Sequence, residues 1–429
     1  MTILHINCGV EKEPLQKAFG FKGSALTCLW QVAVRLKTEQ TEAVGLGVQS
    51  VLWSDAQVFS RYGEETGNEM MLRTTKFALG QLRNVPLRNP REMMDRLFPA
   101  VYAYAAELTG MPDLRKTFAR NALVPVDLAL WQLWLKETGA DHFDAIWDIP
   151  HEKQNRLANI PLITYGTTEE EILALAKANT PLLKIKIGSD PHGDGSVDAM
   201  VSWDCGRLLQ IHRLVENIPT DHTGSGHILY YLDANGRYDS KENLLRLLDF
   251  AGEQGILERV ILLEEPFPEE SEIYVGDLPV TVAADESAHG LEEVRQRHSL
   301  GYKALALKPI AKGLTPSLEM ARFALENGMA CFCADLTVNP LMVSWNQCVA
   351  SRLPKLPGML VGVVESNGAQ NYSNWQKMLN YHPAFGQPWL TPEGGVYELG
   401  EAFFHDSGGI LELASYYLTL AERGNQNEK

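Results

Sequence analysis

Lys184 and Lys186 stand one residue apart inside the apolar run LLKIKIG, residues 182–188. Alternate side chains of a strand share a face, so the two amines project together from attachment points roughly 6 to 7 Å apart. A solvated edge strand would carry such a pair. So would a catalytic centre, where desolvation and a neighbouring cation lower a lysine's pKa until it can act as a base. Later apolar runs also end in charge: HILYYLDANG in Asp233, RVILLEEP in Glu264, VTVAADES in Asp285, KALALKP in Lys308, MACFCAD in Asp335 and MLVGVVESN in Glu365. Acids on three successive strand ends (Asp233, Glu264, Asp285) would repel one another, and a hard divalent cation, Mg²⁺ or Mn²⁺, resolves that repulsion. The lysine runs flank these acids. That layout suits removal of a proton next to a carboxylate: the cation stabilises the developing enediolate, and a lysine on either face removes or returns the proton.

The elements that must hold these residues follow from the rhythm of the chain. From about residue 160 eight short apolar runs recur, IPLITYG and LLKIKIG first, and helical stretches such as SKENLLRLLDFAGEQG and TPSLEMARFALENG separate most of them. Strands alternating with helices predict a parallel barrel, whose enzymes build their sites at the C-terminal ends of the strands. By alternation, Glu265 and Glu286 turn to the opposite face from Glu264 and Asp285 and support them from behind. Residues 1–150 read as an α+β unit, with strands over 28–38 and 42–53 and three helical patterns, the last stopped by Gly139. The tail, 371–429, is expected to pack back on this first unit. The fold class is therefore α/β: a barrel over 151–370 with an N-terminal α+β domain completed by the C-terminal tail.

The totals narrow the function classes. Of 429 residues 54 are acidic and 38 basic, a formal charge of −16, and no Lys/Arg-rich block offers a surface for nucleic acid. The six cysteines form no CxxC pair, so neither a zinc site nor a disulfide framework is indicated. The first residues, MTILHINCGVEKEPL, have no signal-peptide pattern, and no apolar run approaches the roughly 18 residues that span a bilayer. The expectation is a reduced, cytoplasmic protein acting on a small-molecule carboxylate, with a homo-oligomer left open.

The ordered set KIK, LDANGRY, LLEEPFP, AADES and ALKPIAKG resembles the strand motifs of the enolase superfamily, in its muconate-lactonizing-enzyme-like branch. VPVDLALWQLWLKETG is similar to that branch's helix leading into the barrel. The resemblance implies a (β/α)₇β barrel under an α+β capping domain and a Mg²⁺ or Mn²⁺ cofactor held by Asp233, Glu264 and Asp285. It implies Lys186 and Lys308 as the opposed acid/base pair, with Lys184 beside the substrate carboxylate. Racemisation, epimerisation and cycloisomerisation all fit this apparatus, as does the syn elimination of o-succinylbenzoate synthases; a barrel that only binds a ligand is the rival. Dipeptide epimerases of the branch carry Asp-x-Asp on the eighth strand. Here Glu365 and Asn367 stand there, a departure that argues against dipeptides. Asp335 reads as a substrate contact or a helix cap, and Asn235 as an orienting residue or a turn residue of DANG. Two loops of the first unit, 14–25 and 51–60, would bring Phe19, Phe21, Trp53 and Phe59 to the pocket.

Overall fold

The computed structural model describes residues 1–21, 24–150 and 152–424. The first unit is an antiparallel sheet of β1 (His5–Phe21), β2 (Ser24–Lys37) and β3 (Glu42–Gln49), in that order. β1 has no apolar alternation over KEPLQKAFGF and was not expected; β2 supplies its partner, with Val34 opposite Cys8 and Trp30 opposite Lys12. Three helices follow: Lys116–Thr138 packs along the sheet, and Ala56–Leu82 and Pro90–Thr109 pack on that helix and on each other. Helix Lys116–Thr138 ends where expected: Gly139 adopts φ 72°, a left-handed conformation that favours glycine. It also lies unusually close to the sheet. A Cβ on Gly45 would stand 2.0 Å from the Pro125 carbonyl oxygen, and one on Gly47 2.5 Å from the Pro125 ring.

The barrel is built from β4 (Arg156–Ile160), β5 (Leu162–Ile163), β6 (Leu182–Lys186), β7 (Leu229–Asp233), β8 (Val260–Glu264), β9 (Val282–Ala284), β10 (Ala304–Leu307), β11 (Ala330–Cys333) and β12 (Gly362–Glu365). Pro161 has no N–H to give a ladder, and it divides the first barrel strand into β4 and β5. β4 pairs with β12, β5 pairs with β6, and the Pro161 carbonyl accepts the Lys184 N–H at 3.1 Å, so the sheet closes. The remaining neighbours follow chain order and all are parallel. A short strand β13 (Val396–Glu398) lies antiparallel on β4 outside this ring.

Alternation sorts every barrel strand into two sets. Leu182, Leu229, Tyr231, Leu262, Ala283, Ala304, Ala306, Phe332 and Val363 fill the interior as one buried cluster. Leu183, Ile185, Tyr230, Leu232, Leu263, Ala284, Leu305, Leu307 and Cys331 face the surrounding helices in another. The six cysteines are free. The C-terminal helix Ser415–Gly424 returns to the first unit: a Cβ on Gly9 would stand 1.9 Å from the Leu420 carbonyl oxygen, and the Tyr416 hydroxyl donates to Glu11 at 2.6 Å. Among the described residues no helix is long and apolar enough to cross a membrane.

Candidate active site

Continuing each interior set upward by two residues places charge at the mouth. Leu182 is followed by Lys184 and Lys186, Tyr231 by Asp233, Leu262 by Glu264, Ala283 by Asp285, Ala306 by Lys308 and Val363 by Glu365. The pocket there is lined by Lys184, Lys186, Asp233, Asn235, Asp285, Glu286, Lys308, Asp335, Glu365 and Asn367, under a wall of Leu15, Leu26, Leu29 and Trp53 from the first unit. Every substrate-side residue expected from sequence is thus in one cavity, and Glu264 joins it through Lys184. In the closed ring β6 and β10 are separated by three strands on one side and by β11, β12 and the divided first strand on the other. Lys186 and Lys308 therefore stand diametrically opposite.

Lys184 is the hub. Its Nζ lies 3.0 Å from Asp233 Oδ2, 3.0 Å from Glu264 Oε2 and 3.2 Å from Glu365 Oε2, above the Tyr231 ring at 4.7 Å from its centroid. Burial works to lower its pKa, yet the charges of Asp233, Glu264 and Glu365 outweigh that and hold it well above the ordinary value. Lys186 donates to Asp233 Oδ2 at 2.6 Å and to Asn235 Oδ1. Burial raises Asp233, but Lys184 and Lys186 together bring it down to about 2. Across the mouth Lys308 meets Asp285 Oδ2 at 2.5 Å, with its Nζ 4.9 Å from the centroid of the Trp53 ring. The same balance of burial against Asp285, Glu286 and Glu264 raises Lys308.

Two residues depart from the sequence reading. Glu286 faces the cavity, taking the Asn235 Nδ2–H at 2.8 Å; β9 ends at Ala284, so strand alternation no longer governs the position. Glu265 does lie behind the site, with φ 40° turning it away from the mouth and its Oε2 accepting the N–H groups of Asp285 (2.8 Å) and Ser287 (3.2 Å). Lys312, which sequence reasoning passed over, is fully buried and donates to Asp285 at its carbonyl (2.6 Å) and its Oδ1 (3.2 Å). It sits in the short helix Pro309–Lys312 after β10, again beyond the reach of a strand pattern.

Asp335 accepts the N–H groups of Leu336 (2.7 Å), Val338 (3.3 Å) and Asn367 (2.8 Å). It is a turn-capping acid that also lines the cavity, and burial with the Glu365 charge pushes it up to about 7. Asn367 Oδ1 accepts the Thr337 hydroxyl at 2.8 Å. The expected loop at 51–60 is helical over Val51–Ser54 and again from Ala56; Trp53 reaches the cavity and Phe59 is partly buried in core contacts. The side chains of Phe19 and Phe21 lie outside the described residues.

A divalent cation fits this donor set. Ligand atoms of Glu264, Asp285 and Glu286 lie within 4.8 Å of one another, and Glu264 Oε1 and Glu286 Oε2 are buried without a hydrogen-bond partner. Such orphaned acceptors are costly unless something positive meets them. Burial and the Asp285 charge drive Glu264 up to about 8 despite Lys184 and Lys308, whereas Lys308 and Lys312 hold Asp285 well below its usual range against burial. Asp233, the third expected ligand, is engaged by the two β6 lysines. Six carboxylates (Asp233, Glu264, Asp285, Glu286, Asp335, Glu365) meet four ammonium groups (Lys184, Lys186, Lys308, Lys312) at this mouth.

No family model matches the sequence, and no curated protein matches it either. Solved structures do match. A mandelate racemase/muconate lactonizing protein from Herpetosiphon aurantiacus superposes with a TM-score of 0.67 at 19% identity, over 94% of this chain and 97% of that one. The dipeptide epimerase of Enterococcus faecalis V583, complexed with Mg and the dipeptide L-Leu-L-Tyr, gives 0.65 at 15% identity over 94% and 98%. An N-succinyl Arg/Lys racemase from Bacillus cereus ATCC 14579 gives 0.63 at 16% over 87% and 89%. The chain has the capped (β/α)₇β barrel fold of the enolase superfamily, in the form found in mandelate racemase/muconate lactonizing enzymes.

Proposed function

We propose that this protein is an isomerase of the muconate-lactonizing-like branch of the enolase superfamily, dependent on Mg²⁺ or Mn²⁺. It would remove the proton α to the carboxylate of a small-molecule substrate. The observation that carries this reading is the diametric placement of Lys186 and Lys308 across a buried acid cluster. A substrate carbon held between them presents one face to each amine: a lysine that has given up its proton would take the α-proton from its side and the ammonium opposite would return one, which inverts the centre; the acids that raise Lys308 favour it as the ammonium partner. Syn elimination and cycloisomerisation need only one of the two, so the pair favours racemisation or epimerisation.

The remaining residues have distinct tasks. Lys184, fixed by three acids, would set positive charge against the substrate carboxylate, and the leucines and Trp53 would exclude water from the reacting carbon. Asn235 would hold the Lys186 amine through its Oδ1 and Glu286 through its Nδ2. Held by Glu264, Asp285 and one or both of Asp233 and Glu286, the cation would supply the charge that makes the α-proton acidic.

The test is solvent deuterium uptake at the α-carbon, followed by NMR over a panel of chiral carboxylic acids. At least one acid should exchange both of its enantiomers. Lys186→Ala and Lys308→Ala should each abolish exchange of one enantiomer, a loss of about 10²-fold or more, while the other still exchanges. Loss of all exchange in one variant, with the other variant unaffected, would point to a single-face elimination instead. No exchange by the parent with any acid would defeat the proposal.

A further inference from the structure

Outside the pocket, Arg115 ties the first unit to the barrel through several bonds. It stands immediately before the helix Lys116–Thr138. Its Nε donates to Glu269 Oε2 at 3.2 Å and its Nη2 lies 2.8 Å from Glu269 Oε1, a two-pronged pairing across the interface. Glu269 is five residues beyond the cluster acid Glu264, in the loop that leaves β8. His289, four residues beyond Asp285, braces the same carboxylate with its Nε2 3.2 Å from Oε2. The third nitrogen of the fork, Nη1, points the other way. It donates to the Trp53 carbonyl at 2.9 Å and the Ser54 carbonyl at 3.2 Å, while the Arg115 backbone N–H donates to Asp55 Oδ2 at 2.9 Å.

These bonds converge on the residue that roofs Lys308. Trp53 is 5% exposed, and the Lys308 ammonium lies 4.9 Å from its ring centroid. We infer that Arg115 is a positioning residue: with Glu269 it fixes Trp53 over Lys308, and so couples the packing of the first unit on the barrel to the environment of that lysine. A guanidinium suits the task because one rigid fork meets a carboxylate and two carbonyls at once, which a single ammonium cannot do. Thr117 and Asn121 also anchor this segment, at the Ser54 carbonyl and the Ser50 N–H, but both lie on the first unit itself. Arg115 also ties the segment to the loop after β8 and, through the carboxylate it shares with His289, to the loop after β9. The role assigned to Lys308 rests on the function proposed above; the placement of Trp53 does not.

The experiment compares the parent in Mg²⁺ buffer with Arg115→Met, Arg115→Lys and Glu269→Gln. It reads backbone hydrogen exchange across residues 50–58 and the rate of reductive methylation of Lys308, both by mass spectrometry. We expect exchange over 50–58 and methylation of Lys308 to rise about tenfold in Arg115→Met and Glu269→Gln, with exchange over β1–β3 unchanged. Arg115→Lys should recover the melting temperature but not the protection of 50–58. Unchanged exchange at 50–58, or an increase spread evenly over the whole first unit, would overturn the inference. If protection is lost as expected while the parent shows no α-proton exchange with any acid, the positioning stands and the catalytic reading of Lys308 fails.

Discussion

Lys184 shows how a buried charge is made tolerable: three carboxylates within 3.2 Å surround an ammonium whose side chain is 4% exposed. Removing one partner of such a cluster leaves the rest uncompensated, at a cost of about 3–5 kcal/mol. Lys184→Met is therefore expected to lower the melting temperature markedly in chelator, and added Mg²⁺ should restore part of the loss by neutralising the freed acids. Thermal scans with and without the ion check this; a variant as stable as the parent in chelator would contradict it. The acids and lysines at strand ends were legible in the sequence, because a charge two residues above an apolar interior position can only face the mouth. Glu286 and Lys312 were not legible. Both lie two or more residues beyond the end of their strand, where the direction of a side chain depends on a turn that no two-residue period encodes.

Elements were read best where one period ran unbroken. The barrel strands and the helix ending at Gly139 belong to this class. β1 was missed because KEPLQK mixes charges without alternation, and it is held by pairing to β2 rather than by its own pattern. The segment at 51–60 was misread as a loop because Asp55, which caps the helix from Ala56 by accepting the N–H groups of Gln57 and Val58, begins that helix only one residue after another ends. The glycines of β3 had no explanation until the helix was seen against them. Gly45→Ala would drive a methyl group into the Pro125 carbonyl and Ala129, and overpacking of this kind costs about 1–3 kcal/mol. Urea unfolding should show a loss in that range. An unchanged midpoint would mean that helix and sheet separate without cost.

At the scale of the whole molecule, the chain leaves its first unit, closes a barrel and returns. Tyr417 and Ala421 of the C-terminal helix are buried, and the Gly9 and Gly424 backbones admit no side chain where helix and β1 meet. Deleting residues 411–429 should therefore uncover the outer face of the first sheet. The full chain is expected to melt in one calorimetric transition. The truncated chain should show an earlier, separate transition for the first unit; a single unshifted peak would mean that the tail is dispensable. The tail was expected to return as a whole, but β13 stays on the barrel and it is the last helix that meets the first unit; the Arg115–Glu269 tie, with partners 154 residues apart, leaves no local signal at all.

The mouth of the barrel is expected to bind one divalent cation through its buried acids. Mn²⁺, followed as free ion by electron paramagnetic resonance during titration of metal-free protein, tests that claim without a substrate. One site per chain should appear in the parent, and Glu264→Gln and Asp285→Asn should each weaken it at least tenfold. Binding that is absent in the parent at millimolar ion, or unchanged in both variants, would contradict the account.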